Sequence, residues 1–167
     1  GAAVLQGLLR NGIDAYALDV DENILPALER ERPDRAFIML HGRGGEDGVM
    51  QAVLECLHIP YTGSGVLGSA LGMDNLRCKQ LWHGAGLPTP PYRVLQQDCD
   101  FAAVITDLGL PLIVKPVHEG SSIGMSKVEK EAEMLPAFNL ARKSNGVIIA
   151  EKWITGAEYT AAILNRK

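Results

Sequence analysis

Residues 36–48, AFIMLHGRGGEDG, set an uninterrupted apolar run directly before a loop with four glycines, Gly42, Gly44, Gly45 and Gly48. Such a run reads as a strand buried on both faces, a kind of strand found in parallel sheets covered by helices. The glycine loop at its carboxyl end leads into EDGVMQAVLECLH, which has helical apolar spacing, and then into a brief strand or turn, IPYTGSG. Upstream, Ala3, Val4, Leu5, Leu8 and Leu9 recur at helical spacing, with a stop at Asn11-Gly12. IDAYALDV alternates like a strand, and DENILPALERERP reads as a short polar helix interrupted at Pro26. Strands alternating with helices at this spacing predict an α/β fold with a parallel sheet.

The texture changes after residues 63–68. A helix is expected after Asp74, which would cap it, ending near Gly84 and Gly86 ahead of Pro88. PTPPYRVL reads as an extended segment whose prolines fit an edge strand or a linker. DCDFAAVITDLG reads as a helix and PLIVKP as a short buried strand. EGSSIGMSKV is a Gly/Ser loop entering a strand, followed by a helix (EKEAEMLPAFNLARKSNG), a strand (VIIAEKWI) and a further strand (EYTAAILNRK). The second half is thus α+β with an antiparallel character. The expected domains are 1–65, α/β and incomplete at its start, and 66–167, α+β.

Composition limits the function classes. The chain has 167 residues, 47% hydrophobic and 22% charged, which excludes intrinsic disorder. Its formal charge of −4 argues against general nucleic-acid binding, which needs a basic surface. The apolar stretches are too short for a membrane span. The three cysteines, Cys56, Cys78 and Cys99, form no CxxC pair and no zinc-ligand spacing, so no metal site is expected among them and the expected location is cytoplasmic.

Four constellations could carry chemistry. In Leu40–Gly48, glycines let a backbone approach a ligand at the carboxyl end of a strand, the usual ligand position in open α/β sheets; a tight turn with a structural His41 fits the same residues. Gly63-Ser-Gly-Val-Leu-Gly68 matches the dinucleotide pattern literally but lacks the acidic residue about twenty positions on. Lys115 ends an apolar run, which is costly unless its ammonium meets water or an anion. Gly120, Ser121, Ser122 and Gly124 follow with donors suited to phosphate, although this is no Walker A motif, and a snorkelling lysine beside a hairpin turn is the competing reading. Finally, Glu151 and Glu158 flank a bend at Thr155-Gly156, where strand-exit backbone groups could meet an adenine edge and carboxylates its amino group and ribose; plain strand-end charges with Trp153 in the core read equally well.

Taken in order, FIMLHGRGGEDG, IPYTGSGVLGSALGMD, LWHGAGLPTP, LGLPLIVKP, EGSSIGMSKV and AEKWITGAEYTAAIL resemble the D-alanine–D-alanine ligases, ATP-grasp enzymes of peptidoglycan synthesis. The resemblance spans nearly the whole chain. It implies a partial Rossmann-like pre-ATP-grasp domain followed by the central ATP-grasp domain. It further implies ATP-dependent ligation of two D-alanines through an acyl phosphate, with ATP and D-alanine as partners and a homodimer as the assembly. By position, His41 would lie beside the D-alanine site, and Lys115 would contact ATP phosphates. Glu151, Trp153, Ile154 and Glu158 would hold adenine and ribose. Ser121 would belong to a catalytic hydrogen-bonded set that orients the first D-alanine, with Ser122 in the loop that closes over the phosphates.

Two departures qualify these expectations. Where the family carries a lysine after Gly-Met-Asp, this chain has Asn75, so nucleotide affinity is expected to be lowered; Lys79, one helical turn on, could partly substitute. The chain is also expected to be about half of a longer ligase, lacking a first strand and a C-terminal lobe that would bring the Mg2+ carboxylates, and to be inactive alone. The rival expectations are a decayed nucleotide-binding module and a D-Ala–D-lactate or D-Ala–D-Ser ligase.

Overall fold

The computed structural model describes residues 1–119 and 122–163; Ser121, with Gly120, lies outside the described residues. By contacts the chain divides into two compact units, Gly1–Ala85 with Val117–Ser121, and Gly86–Pro116 with Ser122–Lys167. The sequence reading sets its boundary at 65/66, whereas residues 66–85 group by contact with the first unit.

The first unit carries five helices: α1 (Ala2–Arg10), α2 (Ile24–Glu31), α3 (Val49–Cys56), α4 (Val66–Met73) and α5 (Asn75–Gly84). Asn11 stops α1 as expected, its side-chain amide donating to the Gly7 carbonyl at 2.8 Å. Pro26 does not interrupt α2. It falls in the first turn, where a backbone N–H has no helical acceptor anyway. Asp74 caps α5 as expected, accepting from the Arg77 N–H at 2.9 Å. Helix α4, absent from the sequence reading, is rich in small residues and lies close to α3: a Cβ on Gly48 would stand 2.8 Å from the Val66 carbonyl oxygen. Leu28, Met50, Leu54 and Ile59 form the core of this unit, with Ile24, Ile38 and Leu40 packed against it.

The expected parallel sheet is reduced here to one parallel bridge, Ala36 with Tyr61. Ala36 N–H donates to Pro60 O at 2.8 Å and Thr62 N–H to Ala36 O at 3.0 Å. The next donor, Ile38 N–H, is taken by the Thr62 hydroxyl rather than by a neighbouring carbonyl. Residues 37–40 and 13–20, both expected as strands, therefore form no ladder among the described residues. A strand is held by hydrogen bonds to a neighbour, which local apolar pattern cannot supply. Phe37, Ile13, Tyr16, Leu18 and Val20 remain exposed accordingly.

The second unit is an antiparallel sheet with helices, as expected. Strands β1 (Tyr92–Leu95), β2 (Leu112–Pro116), β3 (Ser126–Val128) and β4 (Ile148–Lys152) lie in the order β1-β4-β2-β3, so β1 is an edge. Helices α6 (Phe101–Leu108) and α7 (Met134–Ala141) complete it, the latter flanked by 3-10 turns at Glu131–Glu133 and Arg142–Ser144. Directly opposed residues share a sheet face. Leu112 opposes Val128, Val114 opposes Ala150 and Leu95 opposes Ile148, and this face joins α6 and α7 in one core with Val104, Leu108, Met134 and Phe138. The strand expected from Glu158 onward has no ladder over 158–163, where Tyr159 is 92% exposed; residues 164–167 lie outside the described residues.

The glycine at the start of α3 offers a test. Gly48 combines a left-handed φ of 93° with the close Val66 carbonyl. Gly48→Ala is expected to cost about 2 kcal/mol, whereas Gly12→Ala, with a similar φ but open space around it, is expected to cost less. Thermal melts of the two variants compare them.

Candidate functional site

In the first unit the glycine loop is built by its own acidic residues. Glu46 accepts from the Gly42 N–H at 2.6 Å, and Asp47 accepts from Gly44 N–H at 2.9 Å and Val49 N–H at 3.2 Å. The Gly44 N–H, foremost, holds the Asp47 carboxyl below the usual carboxylate range; partial burial opposes it. Gly42, Gly44 and Gly48 have φ of 69°, 84° and 93°, and a Cβ on Gly45 would fall 2.3 Å from Leu40 Cβ. The loop path therefore requires glycine. His41 stands exposed at its start, with Nδ1 3.9 Å from Glu46.

This loop borders a cleft of about 560 Å³, lined also by Thr62, Ser64, Gln51 and Glu119. The sequence reading missed Gln51. Its signal was a glutamine one residue after Met50 and three before Leu54, next to the apolar face of the helix; it is buried, at 5% exposure. Its Nε2 donates to the Gly45 carbonyl at 2.8 Å. The GSGVLG stretch serves packing: Gly63 has φ of 104°, Gly65 precedes α4, and a Cβ on Gly68 would come within 3.3 Å of Ser64 Cβ.

A second cluster in this unit surrounds Asp74, which is buried. Burial pushes its carboxyl up but is outweighed by the Arg77 N–H, the Arg77 guanidinium and His118, so its pKa lies below the usual carboxylate value. His118 Nε2 lies 3.1 Å from Asp74 Oδ2. Asn75 donates twice to the Val117 carbonyl, from its N–H at 3.1 Å and from its side-chain amide at 2.8 Å. Its amide is thus committed to backbone. Lys79 is buried on α5, at 3% exposure.

In the second unit, the register opposes Ile113 to Glu151 and Lys115 to Ile149. Lys115 and Glu151 are therefore diagonal neighbours on the sheet face opposite the core, and their side chains meet at 2.7 Å. Both are largely buried, at 16% and 13% exposure. Beside the end of β2 the loop is held close, since a Cβ on Gly124 would come within 3.3 Å of Pro116. Ser122 is exposed, with φ of 63°, and its carbonyl accepts from Met125 N–H. Past β4, Trp153 N–H donates to Pro111 O at 3.2 Å, extending the ladder by one bond. The Trp153 ring lies under the Lys127 ammonium, 5.1 Å from its centroid. Ile154 and Glu158 are exposed. The structure thus brings Lys115 and Glu151 together within one unit and places Trp153 in the same sheet, while His41 belongs to the other unit.

Two outcomes test this geometry. Glu151→Leu leaves a buried ammonium without its carboxylate and is expected to cost about 3 kcal/mol, most of which the double variant Lys115→Met/Glu151→Leu recovers; chemical denaturation measures both. For Asp74, a folded pKa below the unfolded one means stability that is present above about pH 4 and lost as pH falls through the folded value. The stability gap between the parent and Asp74→Asn is expected to be largest near neutral pH and to close on acidification, as read by urea unfolding over pH.

The family model described as D-ala D-ala ligase C-terminus matches residues 81–167, and that described as D-ala D-ala ligase N-terminus matches residues 14–64. The chain is 56% identical over 167 residues to a D-alanine–D-alanine ligase of Acinetobacter baylyi, covering all of this chain and 53% of that protein. It is 55% identical over 164 residues to one of Pseudomonas entomophila, covering 98% and 52%. The crystal structure of D-alanine–D-alanine ligase from Bacillus anthracis superposes with a TM-score of 0.81 at 31% identity, over 93% of this chain and 51% of that one. The chain spans about half the length of the curated relatives it matches. Among the described residues, no helix is long and apolar enough to cross a membrane. On the family matches and this shared fold, the chain belongs to the D-alanine–D-alanine ligase family.

Proposed function

We propose that this chain forms the nucleotide-binding part, and one wall of the D-alanine site, of an ATP-dependent ligase that joins two D-alanines for peptidoglycan synthesis in the cytoplasm. The observation that carries this reading is the Lys115–Glu151 pair on the sheet face opposite the core. An ammonium has three donors, and one bond to Glu151 leaves others for phosphate oxygens. Lys115 then neutralises phosphate charge while Glu151 fixes its direction and takes the adenine amino group. Beyond β4, Trp153 N–H already serves Pro111, so the base edge falls to the Trp153 carbonyl and the Ile154 N–H. Glu158 takes the ribose hydroxyls. Ser122, with Ser121 before it, supplies hydroxyls over the phosphates, and Ser121 helps orient the first D-alanine. His41 lines the D-alanine cleft.

In this reaction the γ-phosphoryl group passes to a D-alanine carboxylate, and the amine of a second D-alanine attacks the acyl phosphate, releasing phosphate. The residues of this chain contribute orientation and charge neutralisation. Among the described residues no group of three or more His, Cys, Asp or Glu could hold a metal ion, and no step is assigned to one. The domain reading, 1–65 and 66–167, belongs to the same proposal and is supported by an N-terminal match ending at residue 64. So does a homodimer, for which the exposed Phe37, Leu18 and Val20 offer apolar surface.

Calorimetric titration with ATP tests the nucleotide site: Lys115→Ala is expected to weaken binding at least tenfold, and equal affinity would remove Lys115 from the site. Asn75→Lys adds a charge where an amide is now committed to Val117, with Lys79 buried nearby, and is expected to tighten ATP about tenfold. For turnover, the chain can be completed with the parts of the Acinetobacter baylyi ligase outside the aligned segment. That chimera is expected to form D-alanyl-D-alanine with ATP consumption, and the unextended chain is not.

A further inference from the structure

We infer that Gln51 is a substrate-binding residue of the His41 cleft, its side-chain oxygen accepting a hydrogen bond from the ammonium of a bound amino acid; this rests on the reading of that cleft as the D-alanine site. The orientation of the amide is fixed by chemistry. The Gly45 carbonyl can only accept, so Nε2 must face it, as it does at 2.8 Å, and Oε1 is turned the other way. Gln51 is 95% buried by its 5% exposure, and its Oε1 has no hydrogen-bond partner among the described residues. A buried acceptor left without a donor is costly, and native folds retain few of them. The residue also lines the cleft that His41, Glu46 and Glu119 border.

The occupant must be a donor, which excludes a carboxylate or phosphate oxygen at this atom. Its charge follows from the walls. Glu46 and Glu119 supply carboxylates, and among the described residues no lysine or arginine lines the cleft and His41 is its one basic side chain. An acid-lined recess bordered by a buried, unpaired carbonyl-type acceptor favours a small primary ammonium over a neutral hydroxyl. Nature placed a glutamine here rather than a glutamate, so the site can serve two ends at once: Nε2 holds the glycine loop through Gly45, and Oε1 meets the ligand.

The test is side-chain NMR of the chain, following the Gln51 amide and His41 ring signals while D-alanine, ethylamine and propionate are added separately. D-alanine is expected to move both residues, ethylamine to move Gln51, and propionate, which lacks the ammonium, to leave Gln51 in place. Gln51→Met is expected to weaken D-alanine binding about tenfold. If D-alanine moves His41 but not Gln51, the cleft reading stands and the role of Gln51 is overturned. If propionate moves Gln51 as ethylamine does, the ammonium contact is overturned. If D-alanine moves neither residue, the cleft reading and this inference fall together.

Discussion

The antiparallel ladder between β2 and β4 is the constraint on which the second unit depends. Five register pairs, from Leu112 opposite Lys152 to Pro116 opposite Ile148, divide the side chains of both strands between two faces. One face buries Leu112, Val114, Ala150 and Ile148 under α6 and α7. The other carries Lys115 and Glu151. A shift of one residue in this register would turn one strand over relative to the other, carrying either Lys115 or Glu151 onto the core face and Val114 or Ala150 off it. Core packing therefore fixes the position of the ion pair, and the ion pair needs no separate device to bring its partners together.

A different kind of constraint operates in the first unit. There the glycine loop is held by carboxylates that accept from its own backbone N–H groups, Glu46 to Gly42 and Asp47 to Gly44 and Val49. Gln51 clamps the loop from the side of α3. These bonds satisfy donors that a sharp turn strips of regular partners. They also explain the acidic residues of HGRGGEDG, which the sequence alone presents simply as charges near a glycine loop. Asp74 works similarly at the start of α5, where one buried carboxylate caps the helix and meets both Arg77 and His118.

Much of this was legible in the residues. The caps at Asp74 and Asn11, the extended, proline-led β1, the short buried strand that carries Lys115 and the antiparallel second half all follow from local chemistry. The strands expected over 13–20 and 36–40 did not, for a physical reason. Alternation and apolar runs state which face a strand would bury, yet a ladder exists only where a second backbone comes alongside, and among the described residues that happens for these stretches at Ala36 and Tyr61 alone. Helix α4 was obscured because its glycines read as turn signals, whereas Gly48 and Gly68 serve close approach of backbone to backbone and of helix to Ser64.

The sequence by itself determined which residue types could do chemistry, namely a lysine stranded at the end of an apolar run, carboxylates at strand exits and a histidine before a glycine loop. It also carried the family, because several motifs recur at consistent spacing along nearly the whole chain. Only the tertiary structure decided which of those groups meet. Lys115 and Glu151 are 36 residues apart and are joined by register, while Asn75 spends its amide on Val117 and Gln51 has one buried oxygen without a partner among the described residues. The reason is that pairing between distant residues is settled by backbone hydrogen bonds and burial, and neither is written in any local stretch of the chain.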